Sequence, residues 1–127
     1  MAGRSDGGAL TLSYVIIVPV FLAGLMVIVQ IAVWYLAREA ALSAARQGAD
    51  AARVVGAPAG IGPRTAVAFI RSAAPGFLLS PVASQPPASA PHTVEVTVSG
   101  RVPSLIPGLP ITVRQTAQLP VERFTAP

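Results

Sequence analysis

The chain contains no cysteine and no lysine, and it has a single histidine. The lack of cysteine excludes disulfides and thiolate metal sites. The five acidic residues are scattered, and no two share a spacing typical of a catalytic pair or a metal site. No serine has a base beside it in the sequence. These absences argue against an enzyme, a metal site and a bound cofactor.

Charged residues make up only 11% of the chain, against roughly 25% in an ordinary soluble domain. The sequence pI of about 11.2 would suit a nucleic-acid-binding protein. However, the nine basic residues are all arginine and are spread along the chain without a cluster. Nucleic acid is therefore not an expected partner, whereas the apolar composition indicates a lipid bilayer.

The longest apolar segment, residues 10–36, carries no charged residue. A helix needs roughly 20 apolar residues to cross a bilayer, and Trp34 and Tyr35 stand where aromatic rings favour the headgroup level. We predict a leader over residues 1–8 and a transmembrane helix over residues 9–36. A cleaved secretory signal has a shorter apolar region, so an uncleaved anchor is favoured.

Small residues recur every three or four positions beyond the apolar segment, which predicts an amphipathic helix over residues 37–55. Ala44, Gly48 and Ala52 form a face that another backbone can approach closely, either a partner helix or the chain's own domain. Gln30, a polar residue deep in the apolar segment, is a further candidate for helix packing.

The rest of the chain, residues 56–127, is predicted to be a small α+β exported domain. A short helix is expected at residues 63–73, between Pro63 and the Pro75–Gly76 pair. A Pro-rich loop should follow at residues 80–91. Alternating apolar residues then predict two antiparallel strands, at 93–102 and 111–122. The predicted fold class is an α+β membrane protein with a β-hairpin or small sheet at its C-terminal end.

The N-terminal half resembles a known family. The leader MAGRSDGG runs into GGALTLSYVIIVPV, with an early proline, and WYLAREAALSAARQGADAARV follows. These stretches, and the late LPVER, resemble TadE-like proteins, which are pilin-related minor components of tight-adherence (Flp-type) pilus systems. The resemblance implies membrane-bound pilus or secretion-assembly partners. It also implies a prepilin peptidase that cuts between Gly8 and Ala9 at the cytoplasmic face.

One position departs from the pilin pattern. Prepilins usually carry Glu as the fifth mature residue, where it neutralises the N-terminal amine of a neighbouring subunit. If Ala9 is the first mature residue, the fifth is Ser13, which cannot supply that charge. The departure favours an accessory or anchored subunit over a filament building block.

Three functions remain open from the sequence. The resemblance favours a pilus or secretion-assembly component in the cell membrane, with its N-terminus cytoplasmic and its C-terminal domain outside. An anchored cell-envelope binding module is the second. The third is a membrane scaffold whose domain faces the cytoplasm, which is the orientation favoured by Arg38, Arg46 and Arg53 against Arg4.

Overall fold

The computed structural model describes residues 6–123. Its elements are α1 (Asp6–Ala52), α2 (Ile61–Ala73), β1 (Leu79–Ser84), β2 (Thr93–Val102) and β3 (Ile111–Pro120). A long apolar helix, a short second helix and a three-stranded antiparallel sheet confirm the predicted α+β class. The chain divides into two compact units, one ending at Ala32 and one beginning at Val33.

The first unit is helical from Asp6 onward and continues through Pro19. The side chains of residues 7–29 are all exposed. Exposure of such an apolar surface to water is unfavourable, because the free energy falls when apolar side chains leave water. By length and composition, α1 is the one described helix that could cross a membrane.

The second unit has a sheet of order β1-β2-β3, with both pairs antiparallel. In β2 and β3 the apolar residues alternate with polar ones, so one face of the sheet is apolar. The register places Val94 opposite Leu119 and Val96 opposite Ala117, so those side chains share one face. On the other face, the hydroxyl oxygens of Thr97 and Thr116 lie 2.9 Å apart.

Alanines of α1 complete the core beneath the apolar face of the sheet. The fully buried members from this helix are Ala37, Ala41, Ala44, Ala45 and Ala49. They form one cluster with α2 and with the valines of β2 and β3. The compact unit therefore includes the part of α1 after Val33, as well as the residues from 56 onward.

Helix α2 packs through Gly62, Ala66 and Ile70, which are its buried residues. The preceding Gly60 has a positive φ of 75°, a conformation that glycine adopts without steric cost. This turn lets the helix begin at Ile61, two residues before the predicted start at Pro63. It ends at Ala73, as predicted from the Pro75–Gly76 pair.

Three further predicted boundaries differ from the structure. Strand β3 ends at Pro120 and not at residue 122. Helix α1 ends at Ala52 and not at residue 55. The predicted Pro-rich loop at 80–91 overlaps β1, which pairs with β2 through Val82, Ala83 and Ser84. Pro81 lies in the irregular step between Leu79 and Val82, where the pairing register shifts. A proline is tolerated at such a bulge because no ladder N–H is required of it.

Candidate assembly helix and its packing surface

The predicted processing site lies within α1. The peptide bond between Gly8 and Ala9 is helical, and the hydroxyl of Ser13 donates a hydrogen bond to the Ala9 carbonyl at 2.9 Å. The hydroxyl of Thr11 likewise donates to the Gly7 carbonyl at 2.8 Å. Cleavage at Gly8 therefore requires the first turns to unwind, and each glycine lowers that cost by roughly 0.5–1 kcal/mol relative to alanine.

Ser13 uses its hydroxyl within its own helix turn. Its side chain is neutral, and the sequence has no acidic residue between Asp6 and Glu39. The apolar segment therefore carries no carboxylate that could pair with the amine of a neighbouring chain.

Gln30 differs from its neighbours in the apolar segment. It is 5% exposed, whereas Ile28 and Ile31 are both more than half exposed. Its role in helix packing stays a prediction.

The small-residue face of α1 packs closely inside the second unit. A Cβ atom added at Gly48 would lie 2.6 Å from the Gly62 carbonyl oxygen and 3.1 Å from both Ala66 Cβ and Val96 Cγ1. A Cβ added at Gly62 would lie 3.1 Å from Ala52 Cβ. Ala44 is fully buried, and Ala52 is half-buried. In this chain α2 and β2 occupy the face that the sequence left open to a partner helix or to the chain's own domain.

An ion-pair cluster joins the end of α1 to the segment after β3. Arg53 Nε donates to Asp50 Oδ1 at 2.6 Å, and Arg53 Nη1 lies 3.4 Å from Glu122 Oε1. The Glu122 backbone N–H also donates to the Arg53 carbonyl at 3.0 Å. The hydrogen bond to Asp50 and the negative charge of its carboxylate raise the pKa of Arg53. Asp50 and Arg53 are three residues apart, whereas only the fold brings Glu122 to Arg53.

Among residues 6–123, no three His, Asp or Glu side chains lie close enough to hold a metal ion. His92, the sole histidine, lies against the guanidinium of Arg123 at 2.7 Å.

Comparison with known proteins agrees with the composition of α1. Residues 8–50 match the family model described as TadE-like protein. No curated protein sequence and no solved structure matches the chain. The match extends from the predicted processing site to the small-residue face, and it ends before α2. The match confirms the sequence-based resemblance to TadE-like proteins over residues 8–50, which is about a third of the chain.

Proposed function

We propose that this protein is a non-catalytic, membrane-anchored component of a tight-adherence-type pilus or secretion assembly. Its apolar helix holds it in the cell membrane, its N-terminus is cytoplasmic, and its α+β domain lies outside. The observation that carries the proposal is the TadE-like match over residues 8–50, which covers the exposed apolar helix and continues into the buried Ala44–Gly48 region.

The neutral Ser13 supports an anchored or accessory subunit. A filament subunit buries its N-terminal amine beside a neighbouring chain, and an unpaired buried charge is strongly unfavourable. In this chain the side chain at that position is a hydroxyl bonded to its own helix. As such a subunit, the protein has as its partners the lipid bilayer, other membrane proteins of the assembly and a prepilin peptidase.

Deletion and complementation in the native host test this role. Loss of the gene is expected to abolish surface pili or the secretion that depends on the assembly, and the wild-type gene should restore them. A Val20→Arg variant places a charge in the apolar helix and should fail to complement, whereas Val20→Leu should complement. Normal pili in the deletion strain would contradict the proposal.

Orientation and processing are tested separately. An alkaline phosphatase fused after Pro127 should be active, because the domain lies outside; activity of only a cytoplasmic reporter would favour the inward-facing scaffold. The intact mass of the membrane-purified protein should correspond to a chain beginning at Ala9. A full-length mass in a host with active prepilin peptidase would exclude processing at Gly8.

A further inference from the structure

Two proline–glycine turns in the second unit present apolar side chains to the exterior. In the first, residues 74–77, the Phe77 N–H donates to the Ala74 carbonyl at 3.3 Å and Gly76 has a φ of 83°. In the second, residues 106–109, the Leu109 N–H donates to the Ile106 carbonyl at 3.3 Å and Gly108 has a φ of 77°. Proline followed by a glycine of positive φ is the residue order of a type II turn.

The first turn lies at the end of the domain where the chain leaves the apolar segment. Helix α2 runs antiparallel to α1, since Gly62 contacts Gly48 whereas Ala73 shares a groove with Leu36 and Ala40. Phe77 lines the same groove, which has a volume of about 260 Å³. Phe77 therefore lies close to Leu36, two residues beyond Trp34.

The second turn lies at the same end. Strand β2 begins near Ala52, which lines a groove with residues 93–95, and Val96 contacts Gly48. At its other end, β2 pairs Arg101 with Leu79, and a Cβ added at Gly100 would meet the Leu78 side chain. Strand β2 ends at Val102, so the loop at 103–110 begins beside the residues that follow the first turn.

The side chains at this end are apolar and exposed. Each of the five that we call the membrane-side surface keeps more than a third of its area accessible: Phe77, Leu79, Leu105, Ile106 and Leu109. An isolated exposed leucine is ordinary, but a contiguous apolar patch at one end of a small domain indicates a binding surface. Arg38 comes two residues after Leu36 in α1, and Arg101 of β2 pairs with Leu79.

The backbone of the second turn also suits a poorly hydrated environment. The Ser104 hydroxyl donates to the Ile106 carbonyl at 2.9 Å and accepts from the Ile106 N–H at 3.2 Å. The Leu109 N–H is bonded within the turn. A loop that approaches lipid must take its backbone N–H and C=O groups out of water, which is its main energetic cost. Hydrogen bonds within the loop reduce that cost.

We propose that the membrane-side surface inserts into the interface of the same bilayer that the apolar helix crosses, so that the domain has a second contact with lipid. The proposal rests on the membrane anchor within the proposed function but not on the pilus role. Trp34 and Tyr35 mark the headgroup level, and Phe77 of the first turn lines a groove with Leu36, the next residue of α1. Arg38 and Arg101 are then placed to meet lipid phosphates.

Depth-dependent quenching tests this insertion directly. The chain has no cysteine, so a single cysteine introduced into the full-length protein gives one labelling site. The environment-sensitive fluorophore NBD is attached at Ile106→Cys, and the protein is reconstituted into vesicles of phosphatidylcholine and phosphatidylglycerol. Ala88→Cys, on the exposed loop at the opposite end of the domain, is the matched control. Val20→Cys reports the apolar helix itself.

Nitroxide-labelled lipids, with the label near the top of the acyl chain, should remove most of the Ile106→Cys emission and leave the Ala88→Cys emission largely intact. Adding Leu105→Ser and Leu109→Ser should relieve the quenching at Ile106→Cys. Equal, weak quenching at Ile106→Cys and Ala88→Cys would overturn the insertion, provided that Val20→Cys is quenched by deep labels. Failure at Val20→Cys would instead overturn the anchor.

A second copy of the chain is the competing occupant. In nanodiscs that hold a single copy, the quenching at Ile106→Cys should match that in vesicles. Quenching that appears only when several copies share a bilayer would show a protein contact and would overturn lipid insertion.

Discussion

At the scale of single residues, side-chain volume decides how closely α1 and α2 approach. Gly48 and Gly62 bring two backbones together, and Val96 lies within 3.1 Å of the position that a Cβ would occupy at either one. The sequence predicted that this face of α1 would allow close approach. It could not show which backbone would take the place, because spacing alone does not distinguish α2 from a partner helix.

Replacing Gly48 with alanine should destabilise the domain. The new Cβ would meet the Gly62 carbonyl oxygen at 2.6 Å, and because that atom is backbone, α2 must shift. Overpacking of this kind costs about 1–3 kcal/mol. Urea unfolding of the full-length protein in micelles, monitored by amide hydrogen exchange of β2, would measure the loss of stability.

Gly24→Ala is the control for that substitution. A Cβ at Gly24 has nothing within 4 Å, so no clash arises, and alanine favours helix by up to about 1 kcal/mol over glycine. The β2 amides should exchange as in the wild type. A Gly48→Ala protein as stable as the Gly24→Ala protein would show that the two helices are not in tight contact.

At the scale of elements, most of the secondary structure was predictable from sequence patterns. The charge-free apolar segment and the small-residue spacing predicted the long helix, the flanking prolines predicted α2, and apolar alternation predicted the two long strands. Strand β1 was missed because LSPVAS contains a proline and lacks strict alternation. Its pairing partner, β2, lies on the far side of the Pro-rich loop. Pairing between strands that are separated by such a loop has no local sequence signal.

Truncating a valine should reduce stability strongly only if the valine lies on the apolar face of the sheet. Val98 in β2 is fully buried, whereas Val82 in β1 is 62% exposed on the neighbouring strand. Val98→Ala removes buried methyl groups and leaves a cavity, with an expected cost of about 2–3 kcal/mol. Val82→Ala should change stability by less than about 0.5 kcal/mol.

The same unfolding measurement compares the two valine variants. Equal losses at both positions would mean that the outer face of β1 is covered. A negligible loss at Val98 would contradict the assignment of β2 as the centre of the core.

At the scale of the whole molecule, the core depends on the second unit alone. Every member of the buried apolar cluster lies between Ala37 and Ala117. The apolar helix before Val33 contributes none of these residues. The second unit therefore holds the contacts that a folded domain requires.

A fragment covering residues 33–127 should consequently fold without the first unit. It is expected to show a cooperative unfolding transition by circular dichroism and dispersed amide resonances. A fragment covering residues 53–127 is the control; it lacks the alanines of α1, so Ala66 and Val96 lose their cover, and it should not fold. Cooperative unfolding of the shorter fragment would show that α1 is dispensable to the core.

The Arg53–Glu122 contact has a consequence for the order of folding. Gly48 and Gly62 are close along the chain, so the contact between α1 and α2 closes a short loop and can form early. Glu122 follows β3, and its bond to the Arg53 carbonyl closes almost the whole domain into one loop. Contacts between distant residues slow folding. We therefore expect the helical hairpin to form before the sheet, and the domain to be complete only when β3 has paired with β2.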